Sequence, residues 1–211
     1  MKYSDISNKE LSTSLKETIT RFELFKIGID ISEVTLDSIM KEGVLRELPV
    51  VSTLVGIWKT GVAIRDGRFL NKLLLFLNES SKLSSKARKH IVEKLEDEAY
   101  QEEVGERLIA IIDKLETGSK AKLLGRTFAL FGNQIITKDE FWRVSFVIER
   151  LPMTDIIALK NWKEIDLNKV YDIRKQLYLS VGIGWFVLNA SSTGFCWQER
   201  LCEIFAEKLI E

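Results

Sequence analysis

PVVSTLVGIWKTGVAIRDGRFLNKLLLFLN, Pro49 to Asn78, is an apolar run with charge inside it, glycines that cut it and basic residues after it. The 16 residues from Pro49 to Ile64 reach about 24 Å as a helix, short of the roughly 30 Å hydrocarbon core of a bilayer. Lys59 lies inside that segment, where a cation costs about 2.5 to 3.5 kcal/mol on insertion scales. A simple spanning helix is therefore not expected. Ser52, Gly56 and Thr60 recur every four residues, a spacing that lets helix backbones approach closely. Pro49 suits a first helical turn, and Gly67 marks a break. Beyond it Phe69, Leu70, Leu73, Leu74, Phe76 and Leu77 form an apolar face opposed by Asn71, Lys72 and Asn78, which predicts an amphipathic second helix.

Two readings of this predicted hairpin follow. It is either buried core, or a surface that contacts a second copy, another protein or an anionic membrane, carried by Val51, Gly56, Trp58, Lys59, Phe69 and Lys72. Charge bears on the choice. From Lys59 to Lys89 there are eight basic residues against two acidic ones, whereas from Glu93 to Glu116 nine acidic residues face three basic ones. A basic amphipathic helix gains about 1 kcal/mol per cation beside an anionic leaflet. Trp58 beside Lys59 is the tryptophan suited to a membrane interface or an oligomer seam.

The rest of the chain reads as mainly helical. At 211 residues and 45% apolar composition it is long enough for a packed interior, and its 31 basic and 31 acidic side chains give no general attraction for nucleic acid. Helices are expected within about 9–26, 33–42 and 84–98, with Ser84 or Ser85 as a cap. Val104, Leu108, Ile111, Ile112 and Leu115 then repeat at helical spacing before Thr117-Gly118. Leu123, Leu124, Phe128 and Phe131 do the same up to Gly132-Asn133, and Thr137 is a candidate N-cap for a helix that Pro152 closes.

After short helices over about 154–162 and 167–176, the run LYLSVGIGWFVLNASSTGFCW predicts a β-hairpin, followed by a terminal helix carrying Leu201, Ile204, Phe205 and Leu209. The expected architecture is a multi-helix bundle over 1–136 and a small α+β module over 137–211 whose element order resembles a winged helix. Cys196 and Cys202, six apart, read as lying on one helix about 240 degrees apart and therefore as unbonded. As a reading helix, 167–176 would offer only Lys169, Arg174 and Lys175. From Lys138 onward ten basic residues meet eleven acidic ones, a poor phosphate footprint that argues against DNA.

Catalytic patterns are sparse. His90 is the single histidine and sits among Lys86, Arg88, Lys89, Glu93 and Lys94, as on a solvated face. No second histidine or cysteine cluster suggests a metal, and EKLEDEAYQEE lacks the oxygen-ligand spacing of a calcium loop. GSKAKLLGRT lacks the glycine-lysine spacing that wraps phosphate, and the Gly182-Ile183-Gly184 pair lacks a third glycine. No cofactor is expected. The N-terminus has no apolar stretch of signal-peptide type, so a cytoplasmic chain is expected, with any membrane contact made from inside.

The block from Leu45 to Leu77 resembles a motif of uncharacterised small bacterial helical proteins: Leu-Pro-apolar, Val-Gly, Lys-Thr-Gly, Ile-Arg-Asp and Phe-apolar-x-Lys-Leu. That resemblance implies a bacterial origin and a place among accessory or phage-defence proteins, and it assigns no functional residue. The resulting expectation is a non-enzymatic effector or adaptor acting through self-association or inner-membrane contact of 49–78. Its rival is a soluble regulatory protein-binding module with that hairpin as core.

Overall fold

The computed structural model describes residues 2–21, 45, 47–59, 67–95, 105–166, 169–189 and 192–210. They form a mainly α-helical protein with a small two-stranded antiparallel sheet toward the C-terminus. Two compact units are present, Met1–Ile135 and Ile136–Glu211. The helix expected over 33–42 lies outside the described residues.

In the first unit, α1 (Lys2–Arg21) buries Leu11, Leu15 and Ile19, which recur every fourth residue, against α2 (Pro49–Lys59). The first turn of α2 has backbone N–H groups without an intrahelical acceptor, and one finds it across the interface: Val50 N donates to Thr18 Oγ1 at 3.1 Å. Next comes α3 (Gly67–Ser80), then α4 (Ser85–Leu95), whose entry is capped by Ser84 Oγ accepting from Ala87 N at 3.1 Å. After these stand α5 (Arg107–Lys114) and α6 (Gly118–Gly132), the latter capped by Thr117.

The centre of the unit is the packing of α3 on α6. Phe76 and Phe128 meet with ring centroids 5.4 Å apart, and Leu73, Leu74 and Leu124 are fully enclosed around them. Gly125 allows the approach: a Cβ there would stand 2.5 Å from the Phe76 carbonyl oxygen and 2.8 Å from Glu79 Cβ. Glu79, buried beside it, accepts from Lys82 Nζ at 2.7 Å and Arg126 Nε at 3.2 Å, so the carboxylate is compensated where it is desolvated.

Helix α6 ends at Gly132 with Asn133 as its C-cap, where the sequence pattern placed the stop. Gly132 stays helical because Ile91 and Leu83 lie against it, each 2.6 Å from where a Cβ would be. The left-handed residue is Gln134, at φ 59°. Gln134 N donates to Phe131 O and Ile135 N to Leu130 O, the paired bonds of a Schellman ending.

The second unit opens on Thr137, whose side chain accepts from Glu140 N while the Glu140 carboxylate accepts from Thr137 N, a complete capping box for α7 (Lys138–Arg150). Phe141, Val144, Val147 and Ile148 form the buried stripe of that helix. Leu151 and Pro152 end it, and α8 (Met153–Ala158) leads into a 3-10 turn over Leu159–Glu164.

Helix α9 (Asp172–Ser180) then precedes β1 (Gly184–Asn189), which pairs antiparallel with β2 (Ser192–Trp197) in the register Trp185↔Cys196 and Phe186↔Phe195. Helix α10 (Glu199–Glu203) continues into a π-helical turn over Ile204–Leu209, which buries Ile204, Phe205 and Leu209.

Two expectations are corrected here. Leu177–Ser180, read as the start of the hairpin, continue α9, because Tyr178 is held by Asp155 on α8 through a 2.8 Å hydrogen bond. The helix ends on Gly182 at φ 74°, with Gly182 N donating to Leu179 O and Ile183 N to Tyr178 O. Cys196 lies on β2 and Cys202 on α10, so the two do not share a helix; both are free thiols.

Candidate interaction surface

The residues singled out in 49–78 divide by environment. Val51 is fully buried along with Val50, Leu54 and Val55, and Phe69 is buried with Leu70 and Leu73 to Leu77. Both side chains therefore belong to the packing of the first unit. Gly56 is exposed, with nothing within 4 Å of a Cβ built on it. Trp58 and Lys59 end α2, and their side chains lie outside the described residues. Lys72 is half-buried and turned to backbone: its Nζ donates to Asp113 O at 2.6 Å and Leu115 O at 2.8 Å. A cation at that position completes the carbonyls that α5 leaves open at its C-terminal end.

Exposed apolar surface concentrates elsewhere. Among the described residues, six of the seven exposed large apolar side chains belong to the second unit: Phe146, Ile157, Tyr171, Ile173, Trp185 and Phe186. Four of these come from α9 and β1 or the residue before them, with Tyr171 81%, Ile173 79%, Trp185 60% and Phe186 47% exposed. Burial of such side chains stabilises by about 1.5–3 kcal/mol each, a gain the exposed residues forgo in the free chain and a partner covering them would supply.

These elements pack on a cluster of aromatic rings. Tyr178 on the inner side of α9 lies 5.2 Å from the Trp197 ring and 6.4 Å from that of Phe195, and Phe195 stacks edge-on with Phe186 at 5.8 Å. Gly184 leaves room for the Phe195 ring, since a Cβ there would fall 2.0 Å from its tip. Alternation along the strand then turns Trp185 to the opposite face from Phe186.

From α8, Asp155 accepts from both Tyr178 Oη and Arg174 Nε of α9, tying the two helices together. Burial, and then the hydrogen bond to the Asp155 carboxylate, raise the Tyr178 phenol above its ordinary value, so it stays a neutral donor. The outward side of α9 forms a shallow open groove of about 540 Å³ lined by Ile173, Arg174, Gln176, Leu177 and Ser180. The three cations considered for nucleic acid each meet a carboxylate: Lys169 with Asp166 at 3.2 Å, Lys175 with Asp172 at 3.3 Å, and Arg174 with Asp155.

Sequence reasoning looked for a contact in 49–78 and passed over these exposed side chains of the second unit. A signal was present: from Gln176 to Gln198 the chain runs 23 residues without Asp, Glu, Lys or Arg, although 29% of its residues are charged. Among the described residues no group of His, Cys, Asp and Glu is placed to hold a metal ion, and no helix is long and apolar enough to cross a membrane.

No family model matches the chain, and no curated protein or solved structure matches it either.

Proposed function

We propose that this chain is a non-enzymatic adaptor that works by protein contact through its second unit. The first unit is then a helical scaffold with most of 49–80 as its core. The observation that carries this reading is the exposure of Tyr171, Ile173, Trp185 and Phe186 on a support fixed by the Asp155, Tyr178 and Trp197 contacts. Large rigid aromatic and aliphatic side chains of this kind are what anchor protein interfaces. Burial of Val51 and Phe69, and the engagement of Lys72 with the end of α5, favour core over contact surface for the 49–78 segment.

The test is a photo-crosslinking side chain at Tyr171 in living cells, with the same group at exposed Lys114 of the first unit as control. Discrete adducts from position 171 and none from 114 are expected. Absence of adducts from 171 would remove the proposal.

A further inference from the structure

Resting on that reading, we propose that the groove on α9 takes an acidic peptide segment of the partner protein, whose carboxylate pairs with Arg174 and whose neighbouring apolar side chain lies on Ile173 and Leu177. The groove is lined by Ile173, Arg174, Gln176, Leu177 and Ser180, so among the described residues its one charged group is a guanidinium. Two aliphatic side chains beside one cation are complementary to a ligand that joins an apolar group to an anion. Gln176, exposed in the same groove, can bond the backbone of such a peptide.

Arg174 is held in place before a ligand arrives. The buried Asp155 carboxylate accepts from its Nε, and its guanidinium carbon lies over the Tyr178 ring, 5.7 Å from the centroid. Tyr178 is itself buried and donates to the same carboxylate at 2.8 Å, so both anchors of the arginine are fixed and little side-chain freedom is left to lose on binding. The arginine side chain is nevertheless 43% exposed, and its remaining N–H donors have the planar fork that matches a carboxylate. Asp155 offsets the charge of Arg174 but leaves those donors, so recognition rests on short hydrogen bonds rather than on a long-range field. A nucleic-acid backbone would need several cations, whereas Lys169 and Lys175 are already paired with Asp166 and Asp172.

Selection of a random-peptide display library on the immobilised full chain is the test. Enriched peptides are expected to carry Asp or Glu next to Leu, Ile, Val or Phe. A synthetic copy of one should lose about tenfold or more in affinity when its acidic residue is replaced by the amide, and by the same factor against Arg174→Gln. Ile173→Asp sets a carboxylate in the groove at an exposed position and leaves the Asp155 contacts in place, so it should weaken the same peptide. Circular dichroism matching the wild type shows that each variant is folded. A library that enriches no acidic peptide, or peptides that bind Arg174→Gln and Ile173→Asp as they bind the wild type, overturns the inference. Crosslinked adducts from Tyr171 in cells alongside that result would leave the adaptor reading standing and remove only the acidic ligand.

Discussion

The ammonium group of Lys72 donates a 2.8 Å hydrogen bond to the carbonyl oxygen of Leu115, the residue that caps the C-terminal end of α5. A second bond, 2.6 Å to Asp113 O, closes the same helix end. Hydrogen bonds from charged groups contribute about 1.5–3 kcal/mol. Lys72→Met should therefore lower the stability of the first unit by that order, read from the denaturant midpoint. An unchanged midpoint would return Lys72 to the pool of surface cations.

Two glycines on helices of the first unit should respond in opposite directions. Gly125→Ala places a methyl group 2.5 Å from the Phe76 carbonyl oxygen, and the overpacking should cost about 1–3 kcal/mol. Gly56→Ala meets open space in a helix interior and should stabilise by roughly 0.5–1 kcal/mol. Thermal melts of both variants beside the wild type check the pair.

Gln134 holds a left-handed conformation, φ 59°, that costs a residue with a Cβ roughly 1–2 kcal/mol. Gln134→Gly keeps the hydrogen bonds from residues 134 and 135 that end α6 and removes that strain. Higher stability is expected, and a loss would show that the Gln134 side chain contributes more than its backbone costs.

In the second unit, Thr137→Ala breaks the capping box and should cost about 1 kcal/mol. The Glu140 carboxylate is held below its ordinary value, chiefly by the hydrogen bond from Arg200. A depressed carboxylate stabilises the fold above its unfolded value of about 4.3 and loses that contribution as pH falls through the folded value. Arg200→Ala should therefore flatten the acid limb of the stability profile, measured by denaturant midpoints from neutral to acid pH.

Tyr178 gives the alkaline counterpart. Its phenol is raised in the folded chain, so its contribution is complete below the unfolded value near 10 and is lost as pH rises beyond it. Tyr178→Phe removes the donor to Asp155 and should flatten that alkaline fall. It should also destabilise at neutral pH, by about 1–3 kcal/mol if the buried carboxylate is left one partner short.

How far the sequence could be read depended on the range of the forces involved. The Thr137 cap and the apolar stripe of α7 are local, set by residues three or four apart, and both stand where the pattern put them. The end of α9 is not local. Leu177 to Ser180 have a composition suited to strand, yet they stay helical through a bond from Tyr178 to a carboxylate 23 residues earlier. The exposed aromatic side chains of the second unit were the least legible, because Phe69 and Phe186 are the same side chain in the sequence. Only packing makes one 6% and the other 47% exposed. The absence of charge across Gln176 to Gln198 was the one feature in sequence that pointed to the second unit.

The role of the second unit as a contact module is tested most directly by the apparent mass of the chain in clarified cell extract, read by native size exclusion with a tag on the full chain. Wild type is expected in a particle larger than that of Ile173→Asp or Trp185→Lys, two variants at exposed positions that should keep the wild-type circular dichroism. Elution of all three together at the mass of a free chain would contradict it.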